Sequence, residues 1–202
     1  MTSPTPALVA GHLDPEAARR MNKLGVILLI VGDAFFTFSL VFTYLYLRGL
    51  NTNGQWLTQK GAHPVSATYT WLVVLVVAAS WLAYRWAERG GTDKARIVLG
   101  AGLASALVVL DLGLQVGQMV GAGFTPRDGA YQSAWMALAG YHVVHLLLTL
   151  FLGVAIVNRA RLGRFAETAW HVTMVGYWWT WLVLATVIIA AATSLATTVP
   201  RA

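Results

Sequence analysis

The sequence predicts an all-α integral membrane bundle of five transmembrane helices, and three observations carry that prediction. Of 202 residues, 57% are hydrophobic and 11% charged, far from the mixture of a water-soluble domain. Five apolar stretches reach the ~20 helical residues needed to cross a hydrocarbon layer. Segments such as Leu72-Val73-Val74-Leu75-Val76-Val77 are apolar on every side, where a β-barrel strand would alternate with period two.

Residues 1–20 contain Pro4, Pro6, Asp14, Glu16, Arg19 and Arg20. They lack the apolar run of a signal peptide and read as a flexible cytoplasmic tail, leaving the first helix to direct insertion. Residues 21–202 form one membrane domain without internal repeats. Its first helix runs from Leu24 to Leu47. A loop from Arg48 to Ala67 follows, broken by Asn51, Asn53, Gly54, Gly61 and Pro64. The second helix spans Thr68 to Ala87, the third Ile97 to Val120, the fourth Ala134 to Val157 and the fifth Trp170 to Leu195, joined by short polar turns.

Nine Trp and seven Tyr suit membrane interfaces and helix contacts. The absence of Cys excludes disulfides, thiolate metal sites and Cys nucleophiles. The net charge of +6 reads as topology, not as a nucleic-acid site. Arg19, Arg20, Lys23, Arg85, Arg89, Lys94, Arg96, Arg159, Arg161 and Arg164 fall on the side of the N-terminus, against Arg48, Lys60, Arg127 and Arg201 on the other. That asymmetry predicts a cytoplasmic N-terminus and a periplasmic C-terminus. Basic residues near helix ends, with Arg85, Arg96, Arg159 and His171 as candidates, suit anionic lipid head groups.

Ionisable groups inside a membrane cost at least ~2.5 kcal/mol and persist where they have a partner or a task. Five are found: Asp33, Asp111, His142, His145 and His171. Asp33, about ten residues into the first helix, is either satisfied by a neighbouring helix or a titratable or lipid-contacting carboxylate. Asp111, Gln115 and Gln118 are spaced i, i+4, i+7 and share one helix face, which reads as interhelical hydrogen-bond glue, with an ion path as the alternative. His142 and His145 are spaced i, i+3 and can share a face. That also suits two ligands of a metal, but no third ligand accompanies them, so no metal site is predicted. His171, beside Trp170, reads as an interface residue.

No P-loop, GxSxG elbow or GxGxxG motif is present, and no catalytic residue is assigned. Five His, two of them (His12 and His63) outside the helices, are too few to ligate two haems and a copper.

Gln115-x-x-Gln118, Phe124-Thr125-x-x-Asp128-Gly129-x-Tyr131-x-Ser133 and Gly140-Tyr141-His142-x-x-His145 together resemble the signature of subunit III of the haem-copper oxidases. That family typically reads Q-x-x-E, F-T-x-x-D-G-x-Y-G-S and G-F/T-H-x-x-H. The first helix, through Gly32-Asp33 and Phe35-Phe36 to Tyr44-Leu45-Tyr46-Leu47-Arg48, is similar to a family helix carrying an embedded Glu or Asp where Asp33 stands. Trp170-His171 resembles the W-H opening of its last helix. Gln118 replaces a family Glu, and Met174 stands where an Asp is expected.

The resemblance implies a short, five-helix bacterial form of this subunit in the cytoplasmic (inner) membrane. It implies a supporting role without a cofactor of its own, packing on oxidase subunit I, alongside subunit II and a small subunit IV that hold or accompany the haems and copper. It further implies bound phospholipid, support of proton uptake and stability during reduction of oxygen to water. On family position, Asp33 is expected to be the embedded carboxylate, with His142 and His145 as its buried partners. Asp128 and Tyr131, with Gly129 and Ser133, are expected to fix the loop into the fourth helix. Gly113 and Gly117, or Trp178, Trp179 and Trp181, are expected to offer close-packing faces to a partner. A subunit III-like partner of a nitric oxide reductase, a small ion-coupled transporter and a free-standing lipid-binding or assembly factor are the alternatives.

Overall fold

The computed structural model describes residues 14–51, 56, 64–165 and 169–195. The chain forms α1 (Pro15–Gly49), α2 (Ala67–Glu88), α3 (Lys94–Gly121), α4 (Ala130–Arg161) and α5 (Trp170–Leu195), with no strand among the described residues. All five helices are long and apolar enough to span a membrane.

Most helices run past the apolar stretches because polar residues cap them in the interface. Asp14 accepts from Glu16 N at 3.2 Å with Pro15 in the first turn, where a missing N–H costs nothing. Asp93 accepts from Ala95 N and Arg96 N at 3.0 and 3.2 Å. Residues 15–20, expected to belong to a tail, are therefore the first turns of α1. His12, Lys60, His63, Arg201 and most of the first loop lie outside the described residues. At 35 residues, α1 is about 52 Å long at ~1.5 Å per residue, well over the ~30 Å hydrocarbon core. The turns after α2 and α4 use Gly91 (φ 61°) and Gly163 (φ 70°), left-handed positions that glycine adopts without a Cβ clash.

Helices α2, α3, α4 and α5 form a ring in which α2 packs on α3 and α5, and α4 on α3 and α5, while α1 lies across the seam of α4 and α5. Successive helices run in opposite directions. The ten basic residues from Arg19 to Arg164 thus gather at one end, where Arg96 Nε donates to Trp86 O at 2.8 Å and the guanidinium sits 5.2 Å from the Trp86 ring centre. Outward-facing Leu28, Phe35, Phe42, Leu75, Leu99 and Phe151 are exposed, as expected of a lipid-facing surface.

The core is held by aromatic rings and close glycines. Tyr84 stacks on Trp179 with centroids 4.2 Å apart. The Trp179 indole donates to Ser80 Oγ at 3.0 Å and the Trp178 indole to Thr149 Oγ1 at 2.9 Å. Trp178, Trp179 and Trp181 are therefore buried inside the bundle, not turned out as a partner face. Their N–H groups need acceptors that only other helices supply. Gly113 and Gly117 do remain exposed.

A Cβ on Gly100 would come within 2.7 Å of Ala87 Cβ and 2.9 Å of the Trp86 ring, so this glycine sets the α2–α3 separation. Gly100→Ala is expected to destabilise the bundle by about 1–3 kcal/mol through overpacking. Gly102→Ala, whose Cβ would meet nothing within 4 Å, is expected to be neutral or stabilising. Denaturant unfolding of the purified chain in detergent compares them; equal losses would show that close approach at Gly100 is not what matters.

Candidate functional site

Asp33 lies near the middle of α1, and three side chains from α4 and α5 converge on it. Tyr141 Oη donates to Asp33 Oδ2 at 2.7 Å and Trp181 Nε1 to the same oxygen at 2.5 Å. His145 Nε2 stands 2.9 Å from both carboxylate oxygens. Thr37, one turn along α1, is in hydrogen-bond contact with the Tyr141 hydroxyl. The His145 ring stacks on Trp178 with 12° between planes, which sets its orientation.

His145 Nδ1 lies 2.8 Å from the Tyr141 carbonyl. A carbonyl only accepts, so Nδ1 carries a hydrogen. The Nε2–carboxylate contact then needs one further proton, on Nε2 or on the carboxyl. In both arrangements the pair has no net charge, which is the form a low-dielectric site favours. The Asp33 side chain keeps 15% of its surface accessible. It sits at the foot of a groove of about 490 Å³ between α1 and α4, bordered by Phe36, Leu40, Ala137, Gly140 and Val144.

His142 is not one of Asp33's partners. Residues three apart on a helix point about 60° from each other, and α4 lies between α1 and α3. His145 therefore meets α1, while His142 Nε2 meets Asp111 Oδ2 on α3 at 3.2 Å. The expectation of one shared face gives way to two imidazoles serving two carboxylates on different helices. Asp111 is fully buried and His142 nearly so. Thr186 Oγ1 lies 3.4 Å from His142 Nδ1 and donates to Leu182 O at 2.7 Å, so His142 is the donor to Thr186. Farther along α3, Gln115 Nε2 donates to Gln118 Oε1 at 3.3 Å, and Gln118 Nε2 to Thr70 Oγ1 at 3.1 Å. All three polar residues of the stripe are buried against other helices.

In the turn before α4, Asp128 Oδ2 accepts from Thr125 N at 2.5 Å and Thr125 Oγ1 at 3.0 Å, closing the segment on itself. Ser133 N donates to the Gly129 carbonyl at 3.0 Å. Tyr131 is buried edge-on to Tyr44, Trp56 and Phe124, and its hydroxyl accepts from Val65 N at 2.9 Å. At the basic end, Arg85 pairs with Glu88 at 2.5 Å. Arg159 lies over the Phe165 ring and His171 stacks on Trp170 at 3.6 Å. Met174 is buried in α5. No group of three or more His, Cys, Asp or Glu that could hold a metal occurs among the described residues.

The sequence reading missed Trp181, Tyr141 and Thr186 as partners of the ionisable groups. A buried indole N–H or phenol requires an acceptor, and mid-membrane carboxylates are the natural ones, so the residue types carried a signal. The pairing did not.

Comparison with known proteins adds the following. The family model described as Cytochrome c oxidase subunit III matches residues 7–190, a span that includes Asp33, Asp111, His142, His145 and Trp181. The chain is 27% identical over 190 residues to cytochrome c oxidase subunit 3 of Rhinoceros unicornis, covering 85% of this chain and 70% of that protein. It is 26% identical over 167 residues to the Rhizopus stolonifer protein of the same name, covering 78% and 55%. It is 25% identical over 175 residues to that of Sus scrofa, covering 79% and 66%. The chain thus spans 55% to 70% of the length of these relatives.

Proposed function

The chain is a multi-pass membrane protein that belongs to the cytochrome c oxidase subunit III family, and from that premise we propose that it is the non-redox supporting subunit of a bacterial haem-copper terminal oxidase. In this reading it packs on subunit I, with subunit II and a small subunit IV completing the complex, and the haems and copper belong to those partners. The N-terminus is cytoplasmic, and Arg85, Arg96, Arg159 and His171 near that end meet phospholipid head groups. The chain has no active site of its own; it sustains proton uptake and turnover stability while the complex reduces oxygen to water.

The observation that carries this reading is Asp33, a mid-membrane carboxylate gripped by Tyr141, His145 and Trp181 at the foot of an open groove. A group held for structure alone gains by being sealed, whereas this one keeps an opening on the lipid or partner side. Its held geometry suits a carboxyl that acts on its surroundings without moving.

Mild-detergent purification through an N-terminal tag, with an optical spectrum and peptide mass spectrometry, tests the assignment. The expected result is an equimolar, haem-bearing, His-rich subunit that travels with this chain. A colourless chain that comes out alone, from membranes whose oxidase is intact, would overturn it.

A further inference from the structure

On the His142 side of α4 lies a partly open space of about 30 Å³, walled on one part by Thr70, Gln115, Gln118, His142, Thr186 and Thr193 and on the other by apolar side chains such as Val73, Trp135 and Leu138. A water molecule needs roughly 10–15 Å³ on this measure and two to four polar partners. The Thr186 and Thr193 hydroxyls donate to the Leu182 and Ile189 carbonyls at 2.7 and 2.8 Å, leaving lone pairs on both oxygens. Each glutamine amide uses one N–H in the Gln115–Gln118–Thr70 line and has a second to offer. The polar part of the wall thus supplies the partners a water needs, and the volume suits about two waters.

Gln118 also borders a second, open space of about 330 Å³ with Ser66, Tyr69, Gly117 and Gly121, at the N-terminal end of α2 and the C-terminal end of α3. Among the residues bordering the two spaces, Gln118 is the one common to both. Deeper still, Asp111 Oδ2 meets His142, while Asp111 Oδ1 is buried without a hydrogen-bond partner among the described residues. Glue between helices needs neither an adjoining cavity nor an entrance.

We propose that this space is an internal hydration site, filled by water that enters past Gln118. Through it the Asp111–His142 pair exchanges protons with the aqueous phase at the α2–α3 end of the bundle, separately from Asp33. The water carries the proton: one arrives at the pair as one leaves, so the pair stays neutral. The two amides orient the water and do not relay protons. The other ionisable groups near this line are Tyr69, which borders the outer space, and His145 and Asp33 on the α1 side of α4, and no Lys or Arg among the described residues borders either space. The inference rests on this chain's own residues and not on the oxidase assignment.

Solid-state NMR of the full chain in lipid bilayers, labelled at histidine ring nitrogens, reads magnetisation transfer from water to each imidazole, with the His142 signal identified by its loss in His142→Gln. Transfer to His142 is expected in the unaltered chain. Gln118→Met, similar in length but apolar, is expected to slow it about tenfold, the factor set by one unmade buried hydrogen bond. Thr193→Val, a smaller change, should slow it in the same direction and serves if Gln118→Met does not fold. A His142 ring with no water transfer in the unaltered chain, or transfer unchanged in a folded variant, would overturn the proposal.

Discussion

His145→Leu is expected to destabilise the bundle by about 3 kcal/mol, the cost of leaving a charge at membrane depth without its partner. Asp33 then keeps only the Tyr141 hydroxyl and the Trp181 indole, neither of which supplies the proton that neutralised the pair. Asp33→Asn alone should cost less. The amide oxygen still accepts from Tyr141 and Trp181, and a neutral His145 keeps its Nδ1 bond to the Tyr141 carbonyl. In the double variant the charge is gone, so most of the His145→Leu loss should return. Unfolding of the purified variants in detergent gives the cycle. If His145→Leu with Asp33→Asn is no more stable than His145→Leu alone, the loss comes from packing against Trp178 and not from charge.

Tyr131→Ala should cost still more, about 3–5 kcal/mol, as for large buried rings elsewhere. The Tyr131 ring is 2% exposed and is the common neighbour of Tyr44 in α1, Trp56 in the first loop and Phe124 before α4. Edge-to-face pairs of this kind add about 0.5–1.5 kcal/mol each beyond the area they bury. Tyr131→Phe retains the ring and loses the acceptor for Val65 N, so about 1 kcal/mol is expected. The ratio of the two losses separates ring from hydroxyl. Comparable losses would mean that the bond to Val65, and not the aromatic cluster, ties the loop to the helix ends.

Much of the fold was legible in the sequence because hydropathy is a local property. Five apolar runs of sufficient length become five helices whatever surrounds them, since an unpaired backbone group in lipid costs several kcal/mol. Even so, the ends moved. Residues 15–20, polar and apparently tail-like, are helical because Asp14 and Pro15 form a good N-terminus. The Asp111–Gln115–Gln118 stripe was visible for the same reason, since one helix's geometry places all three on one face.

The site was legible in its members but not in its pairs. Asp33, Asp111, His142 and His145 stand out by rarity alone, and the motif resemblance marks the segment around the histidines. Which histidine meets which carboxylate depends on how α4 is rotated between α1 and α3. That rotation is set by contacts scattered along the chain: Trp178 against His145, Thr186 beside His142, the small separation at Gly153 where a Cβ would strike Ser105 and Trp179. Likewise three tryptophans that look like a partner face turn inward because their indole N–H groups find Thr149, Ser80 and Asp33. The number of spans, the basic end and the list of ionisable residues within the helices are properties of single helices and can be read from the chain alone. The two separate acid–histidine pairs, the groove at Asp33 and the space at His142 come from the packing of the helices, because each depends on side chains more than 30 positions apart meeting across a helix interface.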